Sequence, residues 1–161
     1  MPVFLPQLRP TLHDPFFQNI LHEQFNTLAG KTITLLGFAF KQDTGDTRDS
    51  PAIPLCEKLF GEHAKVRVHD PKALENARID LQEMEGDVRF VEDVYEAAEG
   101  AHAIALVTQW AEYRELDFER IYNKMVKPAF IFDGRNHLDH QQLFEIGFNV
   151  FPLGKPPLKH V

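Results

Sequence analysis

Three cations in this chain stand where an anionic ligand could be held. Lys41 and Arg48 lie seven residues apart in the polar run Gly37-Phe-Ala-Phe-Lys-Gln-Asp-Thr-Gly-Asp-Thr-Arg-Asp-Ser-Pro51. That run follows an apolar, strand-like segment (Ile33, Leu35, Leu36) and leads into a helix that Ser50 can cap and Pro51 can start. Arg135 follows Phe130-Ile-Phe-Asp-Gly134, a second strand ending in a turn that Gly134 eases. All three are thus expected at the C-terminal ends of strands, the ligand-binding edge of an open parallel sheet. Cations and helix N-termini both attract phosphate, so a phosphorylated ligand is the natural chemistry.

Other residues are weaker candidates. Asp70-Pro71 follows a probable strand, and Asp43, Asp46 and Asp49 crowd the 37–51 run, where aspartates usually serve turns and caps. Arg48 could simply pair with Asp46 or Asp49. Trp110 could stack on a base, although a lone Trp opening a helix more often packs. His137 and His140 lie three apart and could share a helix face, but no Cys or third His joins them in a zinc pattern, so no metal site is expected. Cys56 sits among Ile53, Leu55 and Leu59 on an apolar helix, the setting of a buried and inert thiol. A strand, a glycine, a helix and then Asp70 also suggest a dinucleotide fold. The G-x-G-x-x-G fingerprint is missing, however, because Phe38 and Ala39 follow Gly37 and the next glycine is Gly45.

The elements that must position these residues alternate. Strand-like runs span Thr32–Phe38, Val66–Val68, Arg89–Val91, Ala103–Val107, Ala129–Phe132 and Asn149–Leu153. Helical segments span Pro51–Phe60, Asp93–Ala98, Asp117–Met125 and Asp139–Ile146, with a less defined one over Ala73–Met84. Short apolar strands separated by helices predict a three-layer, Rossmann-like α/β domain: a parallel sheet with helices on both faces. Residues 1–10 read as an irregular, proline-bearing arm. Asp14-Pro15 can open an N-terminal helix over 14–30, with Phe16, Phe17, Ile20, Leu21, Phe25 and Leu28 on one face and Gly30 as its stop. That face could dock on the domain or recruit another chain.

Composition narrows the classes. A chain of 161 residues, 43% hydrophobic and 25% charged, suits one globular domain. The net charge of −7 argues against nucleic acid as a partner, so the few cations must be concentrated locally. No run has transmembrane length, the first residues lack the regions of a signal peptide, and one cysteine cannot form an internal disulfide. The expectation is a cytoplasmic protein off the membrane.

The 37–51 run, with Val68-His-Asp-Pro71, Tyr95-Glu-Ala-Ala98, Gly100-Ala-His-Ala-Ile104, Thr108-Gln-Trp110 and Phe130-Ile-Phe-Asp-Gly-Arg-Asn136, resembles the C-terminal, UDP-binding domain of UDP-glucose 6-dehydrogenases. These belong to the wider UDP-glucose/GDP-mannose dehydrogenase family. The likeness covers about residues 15 to 154. It implies that Phe40, Lys41 and Arg135 contact a UDP-sugar, UDP or UDP-glucose. It implies that Arg48 reaches NAD held by an N-terminal domain that this sequence does not contain. The family's chemistry is a two-step, NAD-dependent oxidation of the glucose C6 alcohol to a carboxylate through a nucleophilic cysteine. That cysteine lies upstream in the family, and Cys56 does not take its place, so no catalytic residue is assigned and the chain is expected to be inactive alone.

By this likeness, residues 1–30 are an arm plus a remnant of the family's central linking helix, and 31–161 form the UDP-sugar-binding domain. Three readings stay open: the UDP-sugar wall of a truncated or split dehydrogenase, a standalone nucleotide-binding or regulatory module, or an interaction protein. Possible partners are an N-terminal half, a full-length homologue or a second copy.

Overall fold

The apolar runs become six parallel strands. The structure is a computed structural model that describes residues 18–21 and 27–160. The strands are β1 (Thr32–Leu36), β2 (Lys65–His69), β3 (Asp87–Phe90), β4 (Ala103–Leu106), β5 (Phe130–Asp133) and β6 (Asn149–Pro152), in the order β3-β2-β1-β4-β5-β6. β1, β4, β5 and β6 are buried along their whole length, as strands covered on both faces must be. β3 alternates exposed and half-buried residues, which fits its place at one rim.

Five helices connect the strands: α1 (Ala52–Gly61), α2 (Leu74–Leu81), α3 (Val94–Ala98), α4 (Phe118–Lys124) and α5 (His140–Ile146). Right-handed crossovers put α1 and α2 on one face and α3, α4 and α5 on the other, giving the expected three layers. In α1, Ala52, Leu55, Cys56, Leu59 and Phe60 form the buried stripe. The Ser50 hydroxyl accepts from the Ala52 N–H at 3.1 Å, and Pro51 already has helical angles, φ −66 and ψ −14. Asp93, Asp117 and Asp139 cap α3, α4 and α5 by accepting the N–H of Tyr95, Arg120 and Gln142. A 3-10 turn over Ala111–Glu115 was not foreseen in the sequence.

The N-terminal segment differs in part from its expectation. Residues 18–21 are helical, while 27–30 form a turn, so the helix does not run to Gly30. The Thr27 hydroxyl takes the Ala29 N–H at 3.1 Å, and the Gly30 N–H goes to the His63 carbonyl at 3.0 Å. Ile20 and Leu28 are buried in the core of this same chain, so those two positions dock. The 1–10 arm and residues 14–17 and 22–26, including Phe16, Phe17 and Phe25, lie outside the described residues.

At the other end the chain folds back on β6. Val150 and Leu158 exchange backbone hydrogen bonds of 2.8 and 2.9 Å as an antiparallel bridge. The His160 N–H then donates to Asn149 Oδ1 at 2.7 Å, and its ring stacks on Phe144 with centroids 4.1 Å apart.

Candidate functional site

The strand order reverses between β1 and β4, so the connections after these two strands lead to opposite faces of the sheet. Gly37 stands at this point with φ 101. A Cβ at this position would lie 2.4 Å from the Thr108 Cβ. Gly37 is therefore required for close packing of the β1 and β4 loops, and the Thr108 hydroxyl completes the contact by donating to the Ala39 carbonyl at 2.8 Å.

From Gly37 the β1 loop alternates inward and outward. Phe38 and Ala39 are buried, whereas Phe40 is 43% exposed and Lys41 is exposed beside it. The Phe40 N–H donates to the Asp46 carbonyl at 2.7 Å, and the Ser50 hydroxyl donates to the Phe38 carbonyl at 2.7 Å, so the loop is tied at both ends. Asp43 and Asp49 turn the chain at φ 67 and φ 60. Arg48 points out, with 88% of its side chain exposed, and clasps Asp46 through Nε to Oδ1 at 3.0 Å and Nη2 to Oδ2 at 2.7 Å. The Arg48 side chain, helped by its backbone N–H, holds the Asp46 carboxyl down to about 2. Asp46 in turn raises Arg48.

Asp70, at the end of β2, is 3% exposed. Its Oδ2 accepts from the Phe38 N–H at 2.7 Å, the Ala39 N–H at 2.9 Å and Trp110 Nε1 at 3.1 Å. Its Oδ1 accepts from the N–H groups of Lys72 and Ala73 at 2.9 and 2.8 Å. Trp110 is buried and packs, with its indole N–H spent on Asp70. Beneath it, His69 Nδ1 and the Tyr113 hydroxyl share a hydrogen bond of 2.9 Å, and burial pushes the His69 value down and the Tyr113 value up.

The β5 loop is built differently. Asp133, fully buried, accepts the Arg135 N–H on Oδ1 at 3.1 Å, and on Oδ2 the His137 N–H, the Leu138 N–H and His140 Nε2, each at 2.8 Å. His137 Nε2 donates to the Trp110 carbonyl at 2.8 Å, joining this loop to the β4 loop. Arg135 is half-buried, and its Nε donates to the Val107 carbonyl at 2.9 Å. The Val107 N–H is itself bonded to the Leu36 carbonyl of β1 at 2.9 Å. Arg135 is thus fastened to the same strand ends that launch Phe40 and Lys41, with the outer nitrogens of its guanidinium still available as donors among the described residues.

Phe40, Lys41, Arg48 and Arg135 therefore share one edge of the sheet, on the loops after β1 and β5. Cys56 is on the buried face of α1, where burial pushes its thiol far up and disfavours the thiolate. The β1 loop does not fit a dinucleotide. Thr108 fills the approach beside Gly37, and the acid after β2, which would bind a ribose in such a fold, is spent on the chain's own N–H groups. A cavity of about 520 Å³ between the 3-10 turn and α5 is lined by Arg114, Glu115, Phe118 and Gln142 among others, and none of the four candidate residues borders it. Sequence reasoning missed the work of Asp133 and His140. The visible signal was a strand-ending Asp with a His seven positions on.

The chain matches, over residues 34–140, the family profile described as "UDP-glucose/GDP-mannose dehydrogenase family, UDP binding domain". It is 45% identical over 159 residues to UDP-glucose 6-dehydrogenase 1 of Oryza sativa subsp. japonica, covering 88% of this chain and 33% of that protein. UDP-glucose 6-dehydrogenase 1 of Arabidopsis thaliana is 44% identical over 160 residues with the same coverage. The chain thus spans about a third of the length of the curated relatives it matches. Among solved structures, the UDP-glucose dehydrogenase of the hyperthermophilic archaeon Pyrobaculum islandicum superposes with a TM-score of 0.65 at 27% identity, covering 83% of this chain and 29% of that one. The UDP-D-ManNAc dehydrogenase of Pyrococcus horikoshii gives 0.68 at 28% identity, covering 87% and 30%. A Rossmann-like sheet with Lys41, Arg48 and Arg135 on one edge, and a profile match over most of its strands, lead to one assignment: the chain belongs to the UDP-glucose/GDP-mannose dehydrogenase family and carries that family's UDP binding domain.

Proposed function

We propose that residues 31–161 bind the UDP part of a UDP-sugar as one wall of an NAD-dependent UDP-glucose 6-dehydrogenase, with residues 1–30 an arm and the remnant of a linking helix. Lys41 and Arg135 neutralise the diphosphate, and the exposed ring of Phe40 supplies an apolar contact beside them. Arg48 faces outward, toward NAD that a separate N-terminal half or a full-length homologue holds. The oxidation of UDP-glucose to UDP-glucuronate draws its cysteine from that other part, so this chain is silent alone. Work in the cytoplasm belongs to the same reading. No described helix is long and apolar enough to cross a membrane.

The observation that carries this reading is the anchoring of Arg135. Its Nε is fixed on the Val107 carbonyl and its backbone on Asp133, which presents the rest of the guanidinium in a set direction. Such a fork suits bidentate contact with phosphate. Calorimetric titration with UDP and UDP-glucose tests it. Saturable binding by the wild type that falls about 10- to 150-fold in Arg135→Ala supports the reading. Absence of saturable binding at millimolar UDP, or binding unchanged in the variant, defeats it.

A further inference from the structure

One heavily used carboxylate, Asp70, is on neither of the loops that carry Phe40, Lys41, Arg48 and Arg135. Asp70 receives five hydrogen bonds, and its two oxygens divide the labour. Oδ1 serves its own loop, accepting the N–H groups of Lys72 and Ala73 at the approach to α2. Oδ2 reaches across the sheet to the Phe38 and Ala39 N–H groups and to the Trp110 indole. Two successive backbone N–H groups after a strand, turned to one point, are how such loops hold a phosphate oxygen. Here an oxygen of the protein takes that position, buried and held from two neighbouring loops. The next two residues along are Phe40 and Lys41, which turn outward.

We propose that Asp70 is the positioning residue of the UDP wall. Its carboxylate acts as a built-in anion that fixes the direction in which the β1 loop presents Phe40 and Lys41. It touches no ligand. The inference rests on the proposed UDP site for its functional consequence, while its structural half stands without a ligand. A residue that merely stabilised the fold would, when altered, loosen the sheet evenly. A positioning residue loosens the loop it aims.

The test pairs amide hydrogen exchange with UDP titration on the full chain, wild type against Asp70→Asn, both well below the thermal midpoint of the variant. Asparagine keeps one acceptor but turns an N–H₂ group toward the donors. Exchange at Phe38, Ala39 and Phe40 is expected to quicken about tenfold or more while β4 and β5 keep their protection. UDP affinity is expected to fall about tenfold, as for loss of one charge-assisted contact. Exchange that rises evenly over the sheet, or UDP affinity within about twofold of wild type, overturns the proposal. If the wild type binds no UDP, the site reading fails, and the exchange pattern still decides the role of Asp70. Should Asp70→Asn not fold, Trp110→Phe carries the test, because it removes one donor to Oδ2 and keeps the carboxylate. Faster exchange confined to residues 38–40 then supports the role, and unchanged exchange there overturns it.

Discussion

The two cation-bearing loops reach a fixed shape by opposite routes. The β5 loop is organised by the last residue of its own strand, since Asp133 gathers N–H groups from Arg135, His137 and Leu138 and the ring of His140. The β1 loop has Leu36, which carries no polar side chain, in the corresponding place and borrows its carboxylate from Asp70, just after β2 and 32 residues beyond Phe38. One hub is local and forms with its strand. The other exists only once β1 and β2 are paired, so the shape of the β1 loop depends on assembly of the sheet. The cations follow the same division. Arg135 is half-buried and tied to the Val107 carbonyl just after β4, whereas Arg48 is exposed and its side chain clasps Asp46 of its own loop.

The largest effect that would break this contrast falls on the local hub. Asp133→Ala strands several buried donors, and we expect a loss of roughly 3 kcal/mol or more in urea unfolding, with the β5 loop exposed. A loss under 1 kcal/mol would show that water replaces the carboxylate at little cost. Gly37→Ala comes next, at about 2 kcal/mol, because a Cβ there meets Thr108 and the backbone angle disfavours a side chain. Smaller in stability but sharper in function is the pair Arg135→Ala and Arg48→Ala. The first should weaken UDP about 10- to 150-fold and the second by less than about twofold, since an exposed pair contributes little. Equal losses would erase the distinction between the two arginines.

The smallest effect is in acid. Arg48 lowers the Asp46 carboxyl in the folded state to about 2 from an ordinary 3.8. Whatever the pair adds is therefore complete above the unfolded value and disappears as the pH falls toward 2. A carboxyl-carbon NMR titration should place the Asp46 midpoint near 2 in the wild type and move it up, part of the way toward 3.8, in Arg48→Ala, which keeps the backbone N–H at this position. A midpoint that stays low in the variant would assign the shift to another cause.

Much of the fold was legible because its signals are local. Apolar runs gave the six strands within a few residues, Ser50-Pro51 marked the start of α1, and Asp93, Asp117 and Asp139 marked three more helix starts. The edge that Lys41, Arg48 and Arg135 share was legible too, from their places after strands. The supports were not. Asp70 and Asp133 look in sequence like any turn-forming aspartate, and their partners sit on other elements or several residues away. Thr108 gives no sign that it abuts Gly37, because that contact joins strands separated by seventy residues of chain. Hydrogen bonds across a sheet leave no periodicity to read.

The returning tail at β6 has a consequence for self-assembly. Parallel sheets have two rims at which a foreign strand could add, and the bridge between Val150 and Leu158 uses the outward N–H and C=O of Val150. The opposite rim, β3, remains half-exposed and carries Asp87 and Arg89. A strand adding at the β6 rim would first have to displace the chain's own bridge at Val150, a barrier that the β3 rim does not raise among the described residues.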